Sequence, residues 1–292
     1  MFRRSVVLMD RFAPNFGAFP YALDVAHRLH VPVYGVSSPA WYGPTNDAAA
    51  SSQESVPHPA PPGRAGQREA QVVGACARAC ARVSVPWQWS RLNEYPLTAL
   101  PQAVAPNDLL VLDHALPPAQ KHYLFRQTTQ DLNRAVLVCP KVWSRLTRVL
   151  LVDQESARDE GFLPRTAALC QGLRVEPIVL TVARSEHTAK VRQKAAQAAL
   201  AARGLRACFD FLVSAEVRAA VACIARWRQC QLVVVPRQTS LSWWRWLRGP
   251  RIDWVTNVTE FTSLLSLPGS GSSEDTPASA SIPSDRIPWF IQ

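Results

Sequence analysis

Arg148-Val149-Leu150-Leu151-Val152-Asp153 is a short apolar run that ends in an acid, and Ser5-Val6-Val7-Leu8-Met9-Asp10 near the start of the chain has the same form. Four or more apolar residues in a row, without alternation, read as a parallel strand buried on both faces. Two such strands in one chain point to an internal repeat.

The residues after each strand carry the repeat further. Phe16, Phe19, Ala22, Leu23, Ala26 and Leu29 recur at three- and four-residue spacing, as on one face of a helix. A strand is predicted over 31–36, a helix over 68–81 and a strand over 83–89. A short helix over 97–104, a strand over 108–113, a helix over 121–132 and a strand over 135–139 complete the half. The second half predicts helices over 162–173, 186–203, 216–228 and 252–260. Its further strands fall at 175–183, 207–213, 231–236 and 263–267. The last strands end in Pro140 and Pro268. Alternating strands and helices imply parallel pairing with right-handed crossovers. The expected fold is α/β: two tandem open five-stranded parallel sheets, flavodoxin- or Rossmann-like, in strand order 3-2-1-4-5 with helices on both faces.

The domains are expected at 1–142 and 146–268, with 141–147 as linker. Residues 39–66 are rich in Ala, Ser, Pro and Gly, and read as a mobile insertion. Residues 269–292 open on Gly269-Ser270-Gly271-Ser272-Ser273 and read as a flexible tail with an apolar tip, Ile287-Pro288-Trp289-Phe290-Ile291.

The formal net charge is +10, carried by 28 Arg and four Lys. Such charge attracts polyanions, but no nucleic-acid-binding motif accompanies it, and a nucleic acid partner is not expected. The longest apolar runs fall short of a membrane span. The apolar run after Arg3-Arg4 stops at Asp10, too short for a signal-peptide core, so the expected location is the cytoplasm. The seven cysteines are scattered and mostly apolar in setting, which reads as structural; Cys76 and Cys80 share one side of a helix. No metal spacing occurs among them or the six histidines. There is no nucleophile elbow, P-loop or dinucleotide fingerprint. Asp113 with His114 is the best acid–base candidate, and reads as a loop pair. No catalytic residue is assigned.

In open parallel sheets, ligands bind at the carboxyl ends of the strands. Attention therefore falls on Asp10, Asp153 and the loops after Leu112 and Val235. The element order, the strand-ending acids and the Pro-ended last strands resemble the universal stress protein family in its tandem form, over roughly residues 3–142 and 146–268. Nucleotide-binding members carry G-x-x-G-x9-G-[ST] after strand four, where glycines let backbone N–H groups approach phosphates. Here that register holds Pro236, Thr239, Gly249 and Pro250 in the second half, so one position of four survives. The first half has Asp113-His114-Ala115-Leu116-Pro117-Pro118 and no glycine. By resemblance, Asp10 and Asp153 match the acid on the adenine or ribose side; without the loop they are expected to cap or orient local backbone.

The replacement loop packs Trp243, Trp244, Arg245, Trp246, Arg248 and Arg251 into ten residues. Trp and Arg are enriched in binding hot spots, so this loop is read as an internal lid or a subunit contact, with a basic-aromatic surface for anionic lipid or single-stranded nucleic acid as the other reading. The resemblance and the lost loop together imply a non-catalytic stress-response or regulatory protein acting through protein contacts, without a required cofactor. The alternative is an ATP or AMP sensor using the second half, with Asp153, Thr239, Gly249, Arg237 and, in the first half, Asp10 at the nucleotide. A weak hydrolase on the same site is a third reading.

Overall fold

A computed structural model describes residues 2–8, 17–37, 62–92, 103–113, 124–125, 128–129, 134–140, 142–154, 161–213, 217–236 and 262–267. Ten strands are described. They are β1 (Arg4–Leu8), β2 (Val33–Ser37), β3 (Trp87–Arg91), β4 (Asp108–Leu112), β5 (Ala135–Val138), β6 (Arg148–Gln154), β7 (Glu176–Ala183), β8 (Cys208–Val213), β9 (Leu232–Pro236) and β10 (Ser263–Leu267). Five helices are described: α1 (Ala18–Leu29), α2 (Pro62–Arg82), α3 (Phe162–Leu173), α4 (Glu186–Ala201) and α5 (Val217–Trp227).

The strand order is β3-β2-β1-β4-β5-β10-β9-β6-β7-β8. Each half has the expected order 3-2-1-4-5, with parallel pairing throughout. The expectation of two separate sheets is corrected: β5 and β10 pair antiparallel and join the halves into one ten-stranded sheet. The physical reason is the edge. Val136, Leu137 and Val138 in β5, and Leu264 and Leu265 in β10, are almost fully buried. An open edge with such residues would leave ladder groups and apolar surface unpaired. Each edge covers the other.

The strands are apolar because both faces are covered. Val149 and Leu151 point into one core and Leu150 and Val152 into the other, as the two-residue period of a strand requires. α1 and α3 meet across the seam on the first of these faces. There Arg28 Nη1 donates to Leu146 O and Leu173 O, both at 2.9 Å, and its Nε pairs with Asp24 at 3.0 Å. Tyr21 Oη donates to Val142 O and accepts from Ser144 N, both at 3.0 Å. The connecting residues are thereby fastened to α1.

Two boundaries differ from expectation. α2 begins at Pro62, so residues 62–66 of the predicted insertion are helical; proline fits the first turn, where its missing N–H costs nothing. β3 begins at Trp87, because α2 ends in a turn with Ser84 at φ 56°. The rest of the predicted insertion, and the tail 269–292, lie outside the described residues, as do the helix at 252–260 and most of those at 97–104 and 121–132.

Candidate functional site

Register fixes how the halves correspond. Leu265 pairs with Leu137 across the seam. Following the parallel ladders outward, Leu232 answers to Leu109 and Val149 to Ser5. The match continues through α1 and β2 without insertion. Gly17 and Gly161 begin equivalent helices, and His30 and Arg174 end them in left-handed conformations at φ 54° and 53°. Val33 answers to Pro177.

This register corrects the matching of the two strand-ending acids. Leu8 answers to Val152, so Asp153 is the next residue while Asp10 stands one place later, opposite Gln154 in the count. The two acids are one residue out of step.

Asp153 sits in β6 and is 3% exposed. Its carboxylate takes both Nε and Nη2 of Arg192 on α4, the Nε contact at 3.0 Å. Such a fork-on-carboxylate pair is the strongest form of side-chain ion pair. Asp153 is expected from sequence to cap or orient local backbone; the partner found is the Arg192 side chain. Arg192 escaped the sequence reading because a lone Arg on an Ala-rich helix carries no signal. α4 itself is set by Ser185, whose Oγ accepts from Thr188 N at 3.2 Å as an N-cap.

The first half lacks this pair. Cys80 O accepts from Val83 N and Val85 N, just as Leu200 O accepts from Arg203 N and Leu205 N. Counting back along the helices places buried Val72 at the Arg192 position. The residue at the Asp153 position is Met9, outside the described residues.

The loop of the first half begins differently too. Asp113 follows β4, and its Oδ2 accepts from Ala18 N at the start of α1, 3.2 Å away. A negative group at a helix N-terminus is favoured by the helix dipole. Gly17 makes room for it at φ 78°: a Cβ there would lie 1.7 Å from Asp113 Oδ2. Asp113 and Asp108 sit at opposite ends of β4, and Asp108 instead pairs with Arg4 at 2.7 Å.

Among the other named residues, Asp10, His114, Arg237, Thr239, Trp243, Trp244, Arg245, Trp246, Arg248, Gly249 and Arg251 lie outside the described residues. His27 is exposed and its Nδ1 lies 3.1 Å from Val83 O. Five cysteines are buried. Burial pushes the thiols of Cys76, Cys170 and Cys230 up to about 12 and that of Cys80 to about 11. Among the described residues, no three His, Cys, Asp or Glu side chains group as metal ligands, and no helix is long and apolar enough to cross a membrane.

No protein-family model matches the chain, and no curated protein matches it. Solved structures do. A universal stress protein from Archaeoglobus fulgidus is similar with a TM-score of 0.65 at 7% identity, covering 92% of this chain and 99% of that one. The fold is the universal stress protein fold in its two-unit form. A putative universal stress protein from Pseudomonas aeruginosa is similar with a TM-score of 0.56 at 12% identity, over 90% of this chain and 92% of that one. The cytoplasmic domain of a prokaryotic cation chloride cotransporter is similar with a TM-score of 0.56 at 10% identity, over 94% of this chain and 98% of that one. The stress-protein fold therefore spans both halves here, as the resemblance implied.

Proposed function

We propose that this chain is a non-catalytic regulatory protein of the stress-response kind, acting in the cytoplasm through contacts with other proteins. The observation that carries this is the Asp153–Arg192 pair. In nucleotide-binding stress proteins the acid at this place serves the nucleoside, by the resemblance drawn from sequence. Here Arg192 takes both carboxylate oxygens, and releasing them would leave a buried carboxylate unpaired. The end of β9 adds to this, since Pro236 has no N–H to offer a phosphate.

Exposed apolar residues at the β8 edge support a role in contacts. Trp227 is 72% exposed, and Phe211 and Val213 are 44% and 47% exposed. Arg228 stacks on Trp227 at 4.2 Å and is forked onto Asp210, which holds the indole in one place.

The test is a thermal shift with ATP and Mg²⁺ on the full chain, alongside nucleotide analysis after native purification. The expected result is no shift and no retained nucleotide. A shift that disappears in Asp153→Ala would overturn the reading in favour of a sensor in the second half. Phosphate release above a matched blank would favour a hydrolase.

A further inference from the structure

The seam brings first-half residues to the second half's ligand-binding end. Leu151 pairs with Val234, Pro236 with Leu267, and Ser266 with Val136. Following each ladder to its end, Asp153, Pro236, Leu267 and Ala135 form one row across β6, β9, β10 and β5. Arg134 stands immediately beyond that row. It lies about 14 Å from the line of β6, three strand spacings away.

Arg134 has an unusual setting. It is half-buried, and its Nε and Nη1 are buried without a hydrogen-bond partner among the described residues. Its neighbour across β4 is Asp108, since Leu109 pairs with Ala135. Asp108 is fully buried; its Oδ2 accepts from Arg4 Nε and Ala105 N, both at 2.7 Å, while its Oδ1 has no hydrogen-bond partner among the described residues. By the two-residue period of the strands, positions 108 and 134 fall on the face of Leu110 and Val136, which pack in one core cluster. Arg4 and Arg134 are two guanidiniums to one carboxylate, so the cluster has surplus positive charge. Desolvation lowers the pKa of Arg134, and Asp108 opposes that shift. Buried donors and acceptors left unmatched are costly. The counterpart of Arg134 in the second half is Thr262, whose hydroxyl donates to Cys230 O at 2.6 Å, so only one seam end has this character.

We propose that Arg134 and Asp108 form a binding site for a protonated phosphate group at the seam. One oxyanion answers both orphans: its charged oxygens accept from Arg134 Nε and Nη1, and its P–OH donates to Asp108 Oδ1. A guanidinium fork suits phosphate geometry. The carboxylate selects for an anion that carries a proton, so sulfate is rejected. The phosphate is free inorganic phosphate or the end of a small phosphorylated molecule. This site goes beyond the contact reading above and does not use Asp153.

The experiment is calorimetric titration and thermal shift of the full chain at pH 7, with inorganic phosphate or sulfate at matched ionic strength and ATP as a third arm. Phosphate is expected to bind and raise Tm, with sulfate at least tenfold weaker. Arg134→Gln is expected to abolish the phosphate response, and Asp153→Ala to leave it intact. Arg134→Lys keeps the charge without the fork, and is expected to weaken binding several-fold should the Gln variant fail to fold. ATP binding that tracks Arg134 alone places a phosphorylated molecule at this site; ATP binding that tracks Asp153 counts against the contact reading instead. Equal responses to phosphate and sulfate would mean an adventitious ion only. That result, or a phosphate response unchanged in the Arg134 variants, overturns the proposal.

Discussion

Arg28 on α1 donates to the carbonyl of Leu173 at the end of α3, 2.9 Å away, so the first half supplies the C-terminal cap of a helix in the second. A cation at a helix C-terminus is favoured both by the dipole and by the orphan carbonyls there. The same Nη1 holds Leu146 O. Removing this side chain strips two charge-assisted bonds and leaves Asp24 without its i,i+4 partner. Arg28→Ala is expected to lower stability by about 2–4 kcal/mol, read by urea denaturation. A loss confined to a few tenths would show that the seam is held by the sheet alone.

The Asp153–Arg192 pair sets up a double-mutant cycle. Arg192→Leu alone strands a buried carboxylate, and Asp153→Leu alone strands a cation that is 29% exposed. The first is expected to cost about 3–4 kcal/mol and the second about 1–2, since Arg192 can turn toward water. The double variant is expected to recover most of the larger loss. Chemical denaturation of all four proteins gives the coupling, and simple additivity would mean that the pair contributes no interaction of its own.

Gly17→Ala is expected to destabilise the first half by about 1–3 kcal/mol, because φ 78° with ψ −147° is glycine territory. Gly161, its counterpart, has φ −80°, so Gly161→Ala is expected to be far milder. Comparing the two melting temperatures separates the combined φ strain and Asp113 contact at Gly17 from any general effect of the added methyl.

Buried thiols predict a pH dependence. Folding raises the pKa of Cys76, Cys80, Cys170 and Cys230 from the ordinary thiol value of 9.0 to about 11 or 12. The unfolded chain then releases protons that the folded chain keeps. The stabilisation is therefore full below pH 9 and falls as pH rises toward 11–12. Denaturation midpoints are expected to decline from pH 8.5 upward, and the decline is expected to flatten in Cys170→Ala. In the native protein at pH 8, a thiol reagent is expected to modify exposed Cys208 and Cys223 and spare the other five.

Much of the architecture was legible because unbroken apolar runs, such as Leu109 to Leu112 and Leu232 to Val235, suit a sheet covered on both faces. Helix α3 was read correctly at both ends, since Gly161 and the Leu173–Arg174 step mark them. The seam was not legible: pairing between β5 and β10 depends on which edges meet, and edges are invisible to periodicity. The one-residue offset between Asp10 and Asp153 was not legible for a related reason: both acids follow an apolar run, and register is set by the neighbouring strands. Arg192 and Arg134 carried no local signal at all. Their meaning comes from partners 39 and 26 residues away in sequence, Asp153 and Asp108.

The antiparallel seam also has a directional consequence. Because β5 and β10 run in opposite directions, the carboxyl ends of the parallel strands in the two halves face opposite sides of one continuous sheet. Two separate but identical subunits would present the same chemistry at both extremities. A single chain is released from that sameness, and this one has used the freedom: Val72 stands at one end where Arg192 stands at the other, and Thr262 where Arg134 does. The two sides of the sheet thus carry different residues at equivalent positions.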